Sequence, residues 1–210
     1  MKTGRVEAFS DGVFAVAITL LILAVIEHTP HGDLGDELVD LWPAYLAYAV
    51  SFLTIGIMWV NHHMLFSLFA RVDRPLMLIN ILLLMLIAFA PFPTRVVAEF
   101  ARSDDDRRAA ALLYGSTMTI TAILFFTLWY YGSRRVLRAD ADPRVVSGIT
   151  RSYLPGVPLY AIATLIAFVS STTSLLIFGA LAVSYALSGG IYGRSDSTAV
   201  RTASSGEPPS

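Results

Sequence analysis

One repeated feature limits what this chain can fold into. Apolar stretches recur along its whole length, several of them close to the roughly 20 residues a helix needs to cross a ~30 Å hydrocarbon core. They come as blocks rather than as a short helical or strand rhythm. Mean hydropathy is +0.64, 55% of residues are hydrophobic and 15% are charged, against about 25% charged in a typical soluble domain. The sequence therefore predicts an all-α integral membrane protein.

The blocks place six membrane helices near residues 9–27, 44–67, 75–97, 109–131, 154–170 and 174–192. Polar breaks separate them. The stretch "HTPHGDLGDELVD" reads as an acidic loop, "RVDRP" puts a proline in the first turn of the third helix, and "EFARSDDDRR" is a charged loop. The longest linker, "GSRRVLRADADPRVVSGITRSYLPG", has room for a short surface helix. Pro91 and Pro93 in "APFPTR" are expected to end or kink the third helix. Residues 1–193 thus form one transmembrane domain, and the small, polar residues 194–210 read as a disordered cytoplasmic tail. Lys2 and Arg5 before an apolar run resemble a secretory signal, but no small-x-small cleavage site follows and the run is kept as the first membrane helix.

Several function classes fall away. At 210 residues, a membrane bundle leaves no room for a soluble catalytic domain, so no enzyme is expected. A net charge of −1 gives no reason to expect a nucleic-acid partner. The absence of cysteine removes disulfides, thiolate metal sites and cysteine nucleophiles. Nucleotide-binding and hydrolase motifs are missing, and no histidine pair has metal-binding spacing, so no cofactor is expected.

With six crossings both termini share one side. The segments on that side carry Lys2, Arg5, Arg71, Arg74, Arg134, Arg135, Arg138, Arg144, Arg151, Arg194 and Arg201. The other side has Arg95, Arg102, Arg107 and Arg108, mixed with Asp104, Asp105 and Asp106. By the positive-inside rule, both termini are cytoplasmic. The first outer loop holds Asp33, Asp36, Glu37 and Asp40 without a basic residue, which reads as ordinary solvation or as a weak cation-attracting vestibule.

Ionisable and polar groups at membrane depth are costly, so each marks a candidate site. Asp11 near the start of the first helix, His62 and His63 late in the second, and Asn80 early in the third reach a similar depth at about 1.5 Å per residue. They can therefore meet in one buried cluster. Three readings compete: a polar knot joining the helices, a proton or ion relay, and a haem or metal site. Because adjacent histidines point about 100° apart, His62 and His63 cannot both clamp one metal. With Val16 as reference, Phe9, Gly12, Thr19, Leu20 and Leu23 lie within about 60° of it, whereas Asp11 projects about 140° away. If that stripe faced a pore, Asp11 would face neighbouring helices. An apolar stripe of this kind equally suits ordinary helix packing.

Arg5, Phe9, Ser10 and Asp11 form R-x-x-x-F-S-D at the head of the first helix. This resembles the signature of the transmembrane protein 175 family, whose animal member is the lysosomal potassium channel. "SFLTIGIMWVNHHMLF", with Trp59 and His62, is similar to the family's second helix, and "NILLLMLIAFAPFPT", with Asn80, to its third. The resemblance covers roughly the first hundred residues; the last three helices match only in hydropathy and number. It implies a prokaryotic homotetramer around a central pore lined by the first helix, without a TVGYG-type filter. It places an apolar constriction on Val16, where Ile or Leu is usual, followed by the pore-facing Thr19, Leu20 and Leu23. It assigns Arg5, Phe9, Ser10, Asp11, Trp59, His62 and Asn80 to a structural network behind the pore. The implied activity is a potassium-permeable cation channel in the plasma membrane, weakly to moderately selective for K+ over Na+, with no metal beyond transient K+. The alternative is a proton-conducting or proton-coupled transporter using Asp11 and His62.

Overall fold

The computed structural model describes residues 3–26, 34–100 and 104–192. The expected disordered tail lies outside the described residues, as do Lys2, His28, His31, Asp33 and Arg102. The described residues are helical almost throughout, in ten segments. Three stretches are long and apolar enough to cross a membrane: Trp42–Leu68, Arg74–Phe100 and Asp106–Arg135. A shorter apolar helix covers Ser171–Leu187.

Helix α1 (Thr3–Leu20) begins well before the expected residue 9. Hydropathy misses this turn because Arg5 is charged and exposed, yet Val6 on the other side extends the buried row of Ser10, Phe14 and Ala17. The helix loosens at Leu21 and Ile22, whose N–H groups reach back three residues to Ile18 (3.3 Å) and Thr19 (3.4 Å). Two short helices follow, α2 (Leu23–Ile26) and α3 (Leu34–Asp40). The second occupies a stretch expected to be loop; its seven residues are too few to show a helical period.

Helix α4 (Trp42–Leu68) starts with a proline in its first turn. Helix α5 (Arg74–Phe89) is capped by Asp73, whose carboxylate accepts from Leu76 N–H at 3.0 Å and from the Tyr131 hydroxyl at 2.7 Å. Desolvation pushes the Asp73 carboxyl up, but those two bonds and the Arg71 charge outweigh it and hold it below its ordinary value. The third helix breaks at Ala90 and resumes as α6 (Pro91–Phe100), so the prolines interrupt it without ending it. The buried Thr94 donates to the Ala90 carbonyl (3.0 Å) and bonds to Ser51 of α4 (2.8 Å), tying the break to its neighbour.

Helix α7 (Asp104–Arg135) is the longest and packs against α5, α6 and three later helices. Arg134 and Arg135 in its last turn complement the helix dipole. The long linker does hold a helix, α8 (Pro143–Tyr153), capped by Asp142 on Arg144 N–H at 2.8 Å. It is not a detached surface helix. Leu154 and Pro155 keep right-handed helical backbone angles, so α8 leads directly into α9 (Gly156–Ile166). The break arises because Pro155 and Pro158 supply no N–H. Trp129 of α7 donates to Thr150 (3.0 Å), which seats α8 along the lower part of α7. The fifth crossing expected at 154–170 is thus rooted at Pro143. Helix α10 (Ser171–Tyr192) closes the bundle on α4, α7 and α9.

Apolar lipid tails give helices little hydrophobic reason to associate, so close packing and interhelical hydrogen bonds hold such a bundle. The α7–α9 contact has this character. Thr119 and Thr164 share a bond of 2.9 Å, Ser174 of α10 donates to the Ala163 carbonyl at 2.7 Å, and Ala111, Ala163 and Ala167 are fully buried. A Cβ on Gly115 would lie 2.7 Å from Thr164 Oγ1 and 3.1 Å from its Cβ. Gly115→Ala is therefore expected to destabilise the fold by about 1–3 kcal/mol, checked by equilibrium unfolding in detergent micelles; unchanged stability would mean that α9 shifts freely.

Candidate functional site

The two faces of α1 have different fates. Val6, Ser10, Phe14, Ala17 and Leu21 are buried against α4 and α5. Phe9, Val16, Thr19, Leu20 and Leu23 are exposed, Phe9 at 64% and Val16 at 57%. Phe9, Val16 and Leu20 border an open, almost wholly apolar groove of about 530 Å³, lined also by Ala8, Gly12, Val13, Ala17 and, across from them, Ala88 of α5. Thr19 carries the hydroxyl on this face. Its proton is donated to the Val16 carbonyl at 2.8 Å, which leaves the oxygen lone pairs turned outward.

Behind this face lies the buried polar cluster. The Ser10 hydroxyl donates to the Val6 carbonyl (2.8 Å), so its oxygen accepts from Asn80 Nδ2 (3.1 Å). That orients the Asn80 carboxamide with Oδ1 toward His62 Nε2, 2.8 Å away. Because Oδ1 can only accept, His62 bears its proton on Nε2. The imidazole is further held by stacking on Phe66 (4.4 Å) and by the tilted Phe14 ring (5.4 Å). Ser10, His62 and Asn80 are each no more than 1% exposed.

Asp11 and Trp59 form a separate contact at the cluster's edge, with Trp59 Nε1–H donating to Asp11 Oδ1 at 2.9 Å. Asp11 therefore faces α4, as its position on the helical wheel requires. His63 is exposed and stacks on Trp59 (6.5 Å). Arg5 and Phe9 lie outside this network, on the same side as Val16. Among the described residues, no group of three His, Asp or Glu side chains could hold a metal ion.

The small residues of the groove escaped the polar-residue search. Gly4, Ala8 and Gly12 recur every fourth residue and lead into Val16 and Leu20. That spacing is the small-xxx-small signal of close helix approach in membranes, and it could have marked the face. The network generates a stability test. Asn80→Ala removes the partner of both Ser10 and His62 and is expected to cost about 1–3 kcal/mol, measured by unfolding in detergent. Ser10→Ala should cost less, since it leaves the Asn80–His62 bond intact.

The family model described as "Endosomal/lysosomal potassium channel TMEM175" matches residues 5–91, the span from Arg5 through the whole polar network. A curated potassium channel of Streptomyces collinus is 46% identical over 190 residues, covering 88% of this chain and 91% of that protein. The crystal structure of a lysosomal potassium-selective channel TMEM175 homolog from Chamaesiphon minutus superposes with a TM-score of 0.80 at 43% identity, covering 88% of this chain and 96% of the other. The endosomal/lysosomal proton channel TMEM175 of Gallus gallus is 39% identical over 136 residues, which cover 60% of this chain and 27% of that longer protein. With near-complete coverage of a prokaryotic relative and a matching signature region, the chain belongs to the TMEM175 family of ion channels.

Proposed function

We propose that the protein is a potassium-permeable cation channel, a homotetramer in which α1 of each subunit lines a central pore. The observation that carries this reading is the apolar face of α1, which no helix among the described residues covers although its opposite face is fully packed. The names of the bacterial relatives supply the ion. Four copies of the face, brought together, enclose a narrow apolar tube. At Val16 such a tube gates by dewetting, and above it four Thr19 oxygens replace part of the ion's hydration. No carbonyl filter takes part, so the preference for K+ over Na+ is weak to moderate.

Arg5, Phe9, Ser10, Asp11, Trp59, His62 and Asn80 form or flank the structure that sets α1 in place. His62 is turned away from the groove and its Nε2 proton is committed to Asn80, which favours this role over a proton relay. In this reading the subunit has six crossings in the plasma membrane, and the arginine distribution supports both termini on the cytoplasmic side. The proton-channel name of the animal relative keeps proton conduction as the second reading.

Purified protein in planar bilayers under a potassium gradient tests the two against each other. The expected result is a current reversing near the potassium equilibrium potential; a reversal potential that follows pH alone would establish the proton reading. Val16→Asn is expected to ease wetting of the constriction and raise single-channel conductance or open probability. An unchanged value would place the narrowest point elsewhere on α1.

A further inference from the structure

We propose that the foot of the α8–α9 helix binds an anionic phospholipid, with Arg144 and Arg151 holding its phosphate headgroup and an acyl chain running along Leu154, Ile162 and Leu165. The site begins with helical phase. Arg144 and Arg151 are seven residues apart, which puts them within about 20° on one face and ~10 Å apart along the axis. Both are exposed, while Ile149 on the other side is buried and Val146 and Tyr153 pack against the core. Between the arginines stands Gly148, and nothing lies within 4 Å of the place a Cβ would occupy. The two arginines therefore stand on either side of open space at Gly148.

The same face continues upward. Leu154 and Pro155 preserve the helical backbone, and Leu154, Ile162 and Leu165 are exposed at 60%, 54% and 61%. The basic pair thus sits directly below an apolar, outward-facing stripe, the order in which a phospholipid presents headgroup and tail. Depth agrees. Thr150, beside Arg151, bonds to Trp129, six residues inside the end of α7 and so ~9 Å from it. A long arginine side chain at that level reaches down to the phosphate plane. Guanidinium groups pair with phosphate oxygens through two parallel N–H bonds, which suits arginine here better than lysine.

Among the described residues no carboxylate forms an ion pair with Arg144 or Arg151. Asp142 is used as the cap of α8, Asp140 pairs with Arg138 at 2.8 Å, and Asp73 accepts from Leu76 and Tyr131. An acidic peptide or free phosphate would match the arginines but leave the stripe above them unused. The chemistry as a whole fits a lipid.

Native mass spectrometry of the detergent-solubilised protein, titrated with phosphatidylglycerol or phosphatidylcholine, tests this. The wild type is expected to retain phosphatidylglycerol in preference to phosphatidylcholine, and millimolar inorganic phosphate should not displace it. Arg144→Gln and Arg151→Gln should each weaken binding roughly fivefold, as expected for one basic side chain at an anionic surface. Arg138→Gln, whose side chain is held by Asp140, should leave it unchanged. Equal binding by the Gln variants and wild type would overturn the proposal, as would displacement by inorganic phosphate. Should the Gln variants not fold, the wild type still decides, because equal retention of the two lipids also overturns it.

Discussion

The rotation of α1 about its own axis depends on one side chain. Asn80 donates to Ser10 on α1 and accepts from His62 on α4, and both bonds are sealed from solvent. In a low-dielectric interior such bonds are strong and their loss leaves polar groups stranded, so the arrangement is held directionally and not merely by packing. Turning α1 by one residue would bring either Phe9, which cannot accept the Asn80 bond, or the charged Asp11 into the buried place of Ser10, and would push Phe14 from its place beside His62. The apolar groove is the other face of that same fixed helix. What the groove presents is therefore decided on the side of α1 that never meets it.

The meeting of His62 and Asn80 was legible in the sequence because depth is simple arithmetic on antiparallel helices. But Asp11 and His63, expected at the same level, stay at the edge, and Ser10, which the depth argument did not consider, takes the place on α1. Also legible was the divergence of Asp11 from Val16, which the Asp11–Trp59 bond reflects. Helix boundaries were less legible. Hydropathy marks the part of a helix that suits lipid, not the part that is helical, so α1 was started too late at its charged turn and the fifth helix was started at 154, after its charged foot. Of the two outcomes expected at Pro91 and Pro93, an end or a kink, the structure shows an interruption only. At Pro91, Pro155 and Pro158 the chain loses a donor yet keeps its course, because neighbouring helices hold both halves in line. The uncovered face of α1 could not be told from a packed one by periodicity; only the position of the other helices distinguishes them.

Across the bundle, several threonines within the helices share one habit. Thr54, Thr117, Thr121 and Thr164 each donate to the carbonyl four residues earlier, and some also accept a bond from a neighbouring helix. A hydroxyl satisfied by its own backbone can be buried without needing a partner elsewhere. This lets a chain rich in serine and threonine remain compatible with lipid. It also leaves a directed oxygen wherever a second helix, or an ion, comes close enough to use it.

At the arginine-rich end, the loops after α4 and α7 are joined as a two-residue ribbon. Phe69 and Leu137 form an antiparallel bridge, with Ala70 N–H on the Val136 carbonyl (2.8 Å) and Arg138 N–H on the Leu68 carbonyl (2.9 Å). Phe69 then folds its ring over Gly132, where any larger residue would collide with it, and stacks on Trp129. The two hairpins are consequently clasped rather than merely adjacent. Neither can slide past the other without opening both backbone bonds together, so α4, α5, α7 and α8 share one mechanical footing, and a displacement applied to any one of them is borne by all four.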